Sequence, residues 1–176
     1  MRCHSTGPQW SEVFLEPNVV ELFFRLHFKV RQLPDLCHYS LNCLIQLGCL
    51  NGPVVANKEV RVRYISNFLT HFLNLVGNLS LHAQEALGVS LIFRKLVVYN
   101  PPDTLSTLNE ELIQTVFAHC AQLTCQFCEK AEREASDATE DNLYLEAFDN
   151  MIVGWDSLGL FHELILHFSR IFKIND

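Results

Sequence analysis

The stretch from Pro17 to Pro53, PNVVELFFRLHFKVRQLPDLCHYSLNCLIQLGCLNGP, decides the fold. At about 100° per residue, Val19, Leu22, Phe23, Leu26 and Val30 form one apolar stripe, with Val20, Phe24 and Phe28 as a second beside it. Glu21, Arg25 and Lys29 are confined to a narrow polar strip, and Glu21 and Arg25 stand at the supportive i,i+4 spacing. Pro17 suits a first helical turn, where its missing N–H has no helical partner anyway. A surface helix shows one apolar stripe, so two stripes predict a helix over 17–32 that is covered on several sides. Leu33-Pro34-Asp35 interrupts it. A second helix follows to about Leu50, with Asp35, His38, Asn42 and Gln46 sharing one polar strip. Asn51-Gly52-Pro53 stops this helix, Gly by offering a left-handed cap and Pro by blocking continuation. Two helices joined by so short a break fold back as an antiparallel hairpin.

The same unit recurs downstream. A helix over about 57–78 carries Ile65, Phe68, Leu69, Phe72, Leu73 and Val76 on one face. Ser80 is the expected cap of the next helix, which runs to Tyr99 and ends at Asn100-Pro101-Pro102. A long helix over 108–134 places Val116, Phe117, Cys120, Leu123 and Phe127 within one broad face. Another spans 140–157 and is ended by Gly159, and a last one begins at Leu160 with Leu164, Phe168, Ile171 and Phe172 on one side. No segment reads as a strand. The pairs begin near 17, 57 and 107, a period of roughly 40 to 50 residues that marks HEAT or armadillo-type solenoids. The expected organisation is an irregular segment over 1–16 followed by an all-α solenoid of HEAT-like antiparallel helix pairs over 17–176. It divides near 17–52, 53–102 and 103–159, with 160–176 as the start of a further repeat. A single globular helical bundle is the competing architecture.

Composition narrows the function. Hydrophobic residues make up 49% of the 176 and charged residues 19%, enough to bury a sizeable core. The net charge of -7 argues against a nucleic-acid binder, which needs a basic surface to neutralise phosphates. Residues 1–100 carry 9 Lys/Arg against 6 Asp/Glu, while residues 101–176 carry 4 against 14. The acidic half reads either as a solvated face or as a docking surface for a basic partner. No apolar run reaches the ~18 residues of a membrane span, so no membrane insertion is expected. Met1-Arg2-Cys3-His4-Ser5 precedes no apolar signal core, so secretion is not expected, and a disulfide framework with it. The seven cysteines are then expected to act as small buried hydrophobes.

Motifs that could carry chemistry fail on spacing. Cys125-Gln126-Phe127-Cys128 is a C-x-x-C with His119 and Cys120 nearby. Zinc needs four converging ligands, and on a helix His119 faces the far side from Cys125 and Cys128. His162-Glu163 lacks the second histidine of H-E-x-x-H at the required place, since His167 follows five residues on, about 140° around the helix. No phosphate-binding or nucleophile-elbow pattern is present. No catalytic, cofactor-binding or metal residue is therefore nominated, and enzyme activity is not expected.

The stretch Glu12 to Pro53 also carries a family likeness, through ELFFRLHFKVR (Glu21 to Arg31), LCHYSLNCLIQL (Leu36 to Leu47) and LNGP (Leu50 to Pro53). It resembles the nuclear export receptors of the importin-β (karyopherin) superfamily. The likeness continues more weakly through LTHFLNLV, EALGVSLI, HCAQLTCQF and NLYLEAFDNMIVGW. The resemblance implies an internal segment of a longer HEAT-repeat receptor that shuttles between nucleus and cytoplasm. Such a receptor binds protein cargo together with Ran-GTP, and passes nuclear pore proteins on its way. Family cargoes include a hypusine-bearing translation factor and SMAD-type regulators. A stand-alone helical-repeat adaptor independent of Ran is the alternative. The charged run after Phe127 reads as a frayed helix end passing into a loop. Its acids, Glu129, Glu132, Glu134, Asp137, Glu140 and Asp141, are the candidate contact for a basic partner.

Overall fold

The computed structural model describes residues 8–80, 82–100, 102–134 and 142–160. Eight α-helices and no β-strand occur among them: α1 (Ser11–Phe14), α2 (Pro17–Val30), α3 (Pro34–Gly48), α4 (Lys58–Gly77), α5 (Ala83–Tyr99), α6 (Pro102–Leu105), α7 (Glu110–Glu134) and α8 (Leu143–Ser157). The expected helix from Leu160 onward, with His162 and His167, lies outside the described residues, as do Cys3 and His4.

Local chemistry sets most boundaries. Pro17 and Pro34 occupy the first turns of α2 and α3. Asn57 caps α4, its side-chain oxygen accepting from Glu59 N at 2.8 Å and Val60 N at 3.2 Å. Asn109 and Asn142 do the same for α7 and α8, accepting from Leu112 N and Leu145 N. At the far end of α8, Gly159 takes φ 68°, so Leu160 N reaches Trp155 O at 3.1 Å and Gly159 N reaches Asp156 O at 2.9 Å. That is a Schellman ending, which requires the left-handed conformation glycine adopts without a Cβ penalty. After α3, Gly52 also has positive φ, but the helix has already stopped at Gly48.

Three expectations are corrected. Residues 8–14, expected to be irregular, form a 3-10 turn over Pro8–Trp10 and the single turn α1. Ser80 does not cap α5. The capping position is His82, and Ser80 instead donates to the Glu85 carboxylate reaching back from the first turn. α2 is not covered on several sides. Val20, Phe24 and His27 are buried, but Leu22 is 59% exposed and Leu26 46%.

The helices form an all-α helical-repeat stack in two layers. α2, α4 and α7 lie side by side in one, and α3, α5 and α8 in the other. The hairpins α2–α3 and α7–α8 close across the layers. In the middle, side chains bridge the gap: the Phe68 ring of α4 lies over Gly48 of α3, beside Ile92 of α5. Phe68 also meets Phe24 edge-on at 5.2 Å, joining α4 to α2. The closest-packed pair is α5 with α8. Gly154 permits it, because a Cβ there would stand 2.5 Å from the Phe93 ring. Trp155 then packs on both Phe93 and Phe117, at 5.1 and 5.5 Å between ring centroids. Buried apolar side chains form a continuous core along the stack.

Candidate functional site

The acidic candidates divide at Glu134. Glu129, Glu132 and Glu134 lie on the last turns of α7, which stays regular where a frayed end was expected. Asp137, Glu140 and Asp141 lie outside the described residues. Glu132 and Glu134 are exposed, and Glu129 is half-buried with Arg133 at 3.8 Å, one turn on. Three carboxylates at a helix C-terminus oppose the macrodipole, so local stability does not explain them. Other contacts hold the end in place. Asn142 donates to Ala131 O at 2.8 Å while capping α8, tying the end of α7 to the start of the next helix. Lys130 stands 4.8 Å over the Tyr144 ring, and its ammonium donates to the Tyr144 hydroxyl at 3.2 Å. An open groove of about 530 Å³ runs along α7 into Glu129, lined by Thr115, His119, Gln122, Cys125 and Gln126. The result is a polar, acid-tipped helix surface whose end is tied to the start of α8.

Burial holds the thiols of the C-x-x-C protonated near neutrality. Cys125 is 4% exposed, and burial, with Glu129 nearby, pushes its thiol up to about 11. Cys128 is raised by burial and by Glu132 and Glu129. Cys120 is fully buried, and burial alone raises it strongly. Protonated thiols are poor nucleophiles and poor metal ligands. Among the described residues no group of three or more His, Cys, Asp or Glu side chains is placed to hold a metal ion. The neighbouring polar groups serve packing: Thr124 donates to Cys120 O and accepts from the Trp155 indole N–H at 3.1 Å. Cys49 departs from the expected reduced state, since its sulfur is disulfide-bonded.

A second surface is apolar. Leu22 and Leu26 of α2 and Leu36 and Tyr39 of α3 are each more than two-fifths exposed. By helical angle Leu22 and Tyr39 fall roughly opposite the buried stripes of α2 and α3, with Leu26 and Leu36 to one side. No helix among the described residues is long and apolar enough to cross a membrane.

Sequence reading missed one constellation altogether. His27 of α2 and Glu85 of α5 are both 0% exposed, and His27 Nε2 lies 2.7 Å from Glu85 Oε1. His27 Nδ1 meets Ser40 Oγ of α3 at 2.9 Å. The other carboxylate oxygen accepts from Ser80 N at 2.7 Å and from the Ser80 hydroxyl. Arg31, 3.7 Å from Glu85, also donates to Asn78 O at 2.7 Å. Burial pushes the Glu85 carboxyl up, but hydrogen bonds from His27 and Ser80 outweigh it, and the net shift is downward. The available signal was a histidine and a glutamate each on the apolar side of its helical wheel. No family model matches the chain.

Proposed function

We propose that this chain is a scaffold segment of a nuclear transport receptor that exports protein cargo in a Ran-GTP-dependent manner. The observation that carries the reading is the sequence likeness in Glu21–Arg31, Leu36–Leu47 and Leu50–Pro53, which together make up the α2–α3 hairpin and its exit turn. These blocks resemble exportin-4 among the export receptors. A stack of helix pairs supports the reading, because pairwise stacking lets curvature change by small steps without breaking a core. Cargo and Ran-GTP would each favour the same curvature, and so each would raise the other's affinity. Under this reading the receptor shuttles between nucleus and cytoplasm. Its cargo would be of the hypusine-bearing translation factor or SMAD-type class, and nuclear pore proteins would be transient partners. The segment would contribute binding surface and no catalysis.

The test is isolation of the native protein with an antibody to the acidic segment, followed by addition of Ran loaded with a GTP analogue or with GDP. Retention only of the GTP-analogue form, increased by cargo, supports the proposal. Failure to retain Ran in either state removes it. Capture of a protein partner irrespective of Ran would favour the stand-alone adaptor.

A further inference from the structure

The buried pair between α2 and α5 joins the first helix pair to the second. Glu85 Oε2 accepts from both the Ser80 N–H and its hydroxyl, and Oε1 lies 2.7 Å from His27 Nε2. That arrangement suits an ionised carboxylate, which only accepts. Ser40 has a single hydroxyl hydrogen and two acceptors within reach, Cys37 O at 2.9 Å and His27 Nδ1 at 2.9 Å. With both ring nitrogens protonated, the ring donates to Ser40 and to Glu85, and Ser40 donates to Cys37 O, so every contact is satisfied. With a neutral ring, either Nε2 keeps the proton and Ser40 turns to Nδ1, giving up Cys37 O, or Nδ1 keeps it and the Nε2 lone pair faces the Glu85 carboxylate at 2.7 Å. The larger loss is of charge. Glu85, wholly buried, would keep only Arg31 at 3.7 Å as a counterion, and removing one member of a buried ion pair is costly.

We propose that His27 and Glu85 form a proton-operated latch between the first two helix pairs. While the ring carries both protons the latch holds α5 against α2 and α3, and when one leaves that joint loosens. The charged and titratable groups facing the latch are Arg31 from α2, Cys37 from α3 and His82 at the head of α5. Arg31 is pinned by Asn78 O and by the Phe28 face at 5.1 Å. The Cys37 thiol is raised by burial and by the Glu85 charge. His82 is turned outward to Gln32 at 3.2 Å. On α4, His71 stacks on Phe24, one turn away from His27. None of these lies within hydrogen-bonding distance of the imidazole, so none substitutes for its charge. The consequence is a solenoid whose curvature near its first joint responds to proton uptake, with the α7–α8 pair unaffected.

The experiment follows the full 176-residue chain from about pH 5 to about pH 10, the span on either side of ordinary histidine titration. The His27 ring nitrogens are observed by NMR, and amide exchange is measured in parallel and corrected for its intrinsic pH dependence. The expected result is a doubly protonated ring at low pH. As it titrates, protection in α5's first two turns should fall at least about tenfold, one pKa unit's worth of coupling, relative to α7 and α8. His27→Gln, which keeps a neutral donor, should abolish that difference. The proposal is overturned if the ring keeps one protonation state throughout, or titrates without a differential change in α5. If His27→Gln does not fold, the ring signals and exchange of the unaltered chain decide the matter alone.

Discussion

Gly154 and the Phe93 ring leave no room between them for a methyl group. A Cβ at Gly154 would stand 2.5 and 2.8 Å from two Phe93 ring atoms, and Phe93 is held by Trp155 and Phe117 on its other sides. Gly154→Ala should therefore destabilise the chain by about 1–3 kcal/mol, the range for overpacking a tight core. Urea unfolding would show this, and an unchanged midpoint would mean that α5 and α8 can separate freely. Cysteine reactivity is a second expectation at this scale. Cys125, shifted up to about 11 by burial, carries little thiolate near neutrality. Its alkylation should climb about tenfold per pH unit toward that value, while the exposed Cys43 reacts first at pH 7. Rapid labelling of Cys125 at pH 7 would contradict the burial seen here. At this scale the helical period placed Cys125 on the buried face of its helix. The sequence was a poor guide to His27 and Glu85. Their meaning depends on a partner 58 residues away, and no periodicity links the two positions.

Helix ends show how neighbouring elements are tied together. Asn142 both starts α8 and donates to a carbonyl in the last turns of α7. Asn142→Ala removes a cap worth about 1 kcal/mol and one further bond of similar size, so a loss of about 1.5–2 kcal/mol is expected. The loss should concentrate in amide exchange at the facing ends of α7 and α8. Uniform destabilisation along the chain would argue against the clamp. Boundary errors in the sequence reading had a common cause. Ser80 satisfies the usual capping preference, but the Glu85 carboxylate offers its N–H and hydroxyl a buried acceptor, and the helix starts later. Glu129, Glu132 and Glu134 looked like a fraying end on charge grounds, yet the buried faces of Phe127 and Ala131 keep α7 helical to Glu134. Tertiary burial overrides weak local preferences.

Across the stack, charge is unevenly distributed. The acid-bearing end of α7 lies in the half with 14 of the 20 acidic residues, while exposed apolar side chains occur on α2 and α3 and also on α5 and α8. If the acidic end receives a basic partner, reversing Glu129, Glu132 and Glu134 to Lys should slow association several-fold at low salt. It should also flatten the salt dependence, with little change in thermal stability because the side chains are largely solvent-facing. Stopped-flow association across ionic strengths would measure this, and identical slopes would exclude the surface.

The helical period of the apolar residues, the prolines at helix starts and Gly159 at a helix end were enough to establish an all-α chain of consecutive helix pairs. Those signals are local, acting within a few residues through backbone geometry and capping. Which face of each helix is buried was a different matter. Two apolar stripes on α2 are equivalent in sequence, and only the positions of α3 and α4 bury Val20 and Phe24 while leaving Leu22 and Leu26 open. The same holds for the buried pair at the first joint. A buried carboxylate is tolerable only with hydrogen-bond partners, and folding is what brings His27 and Glu85 together.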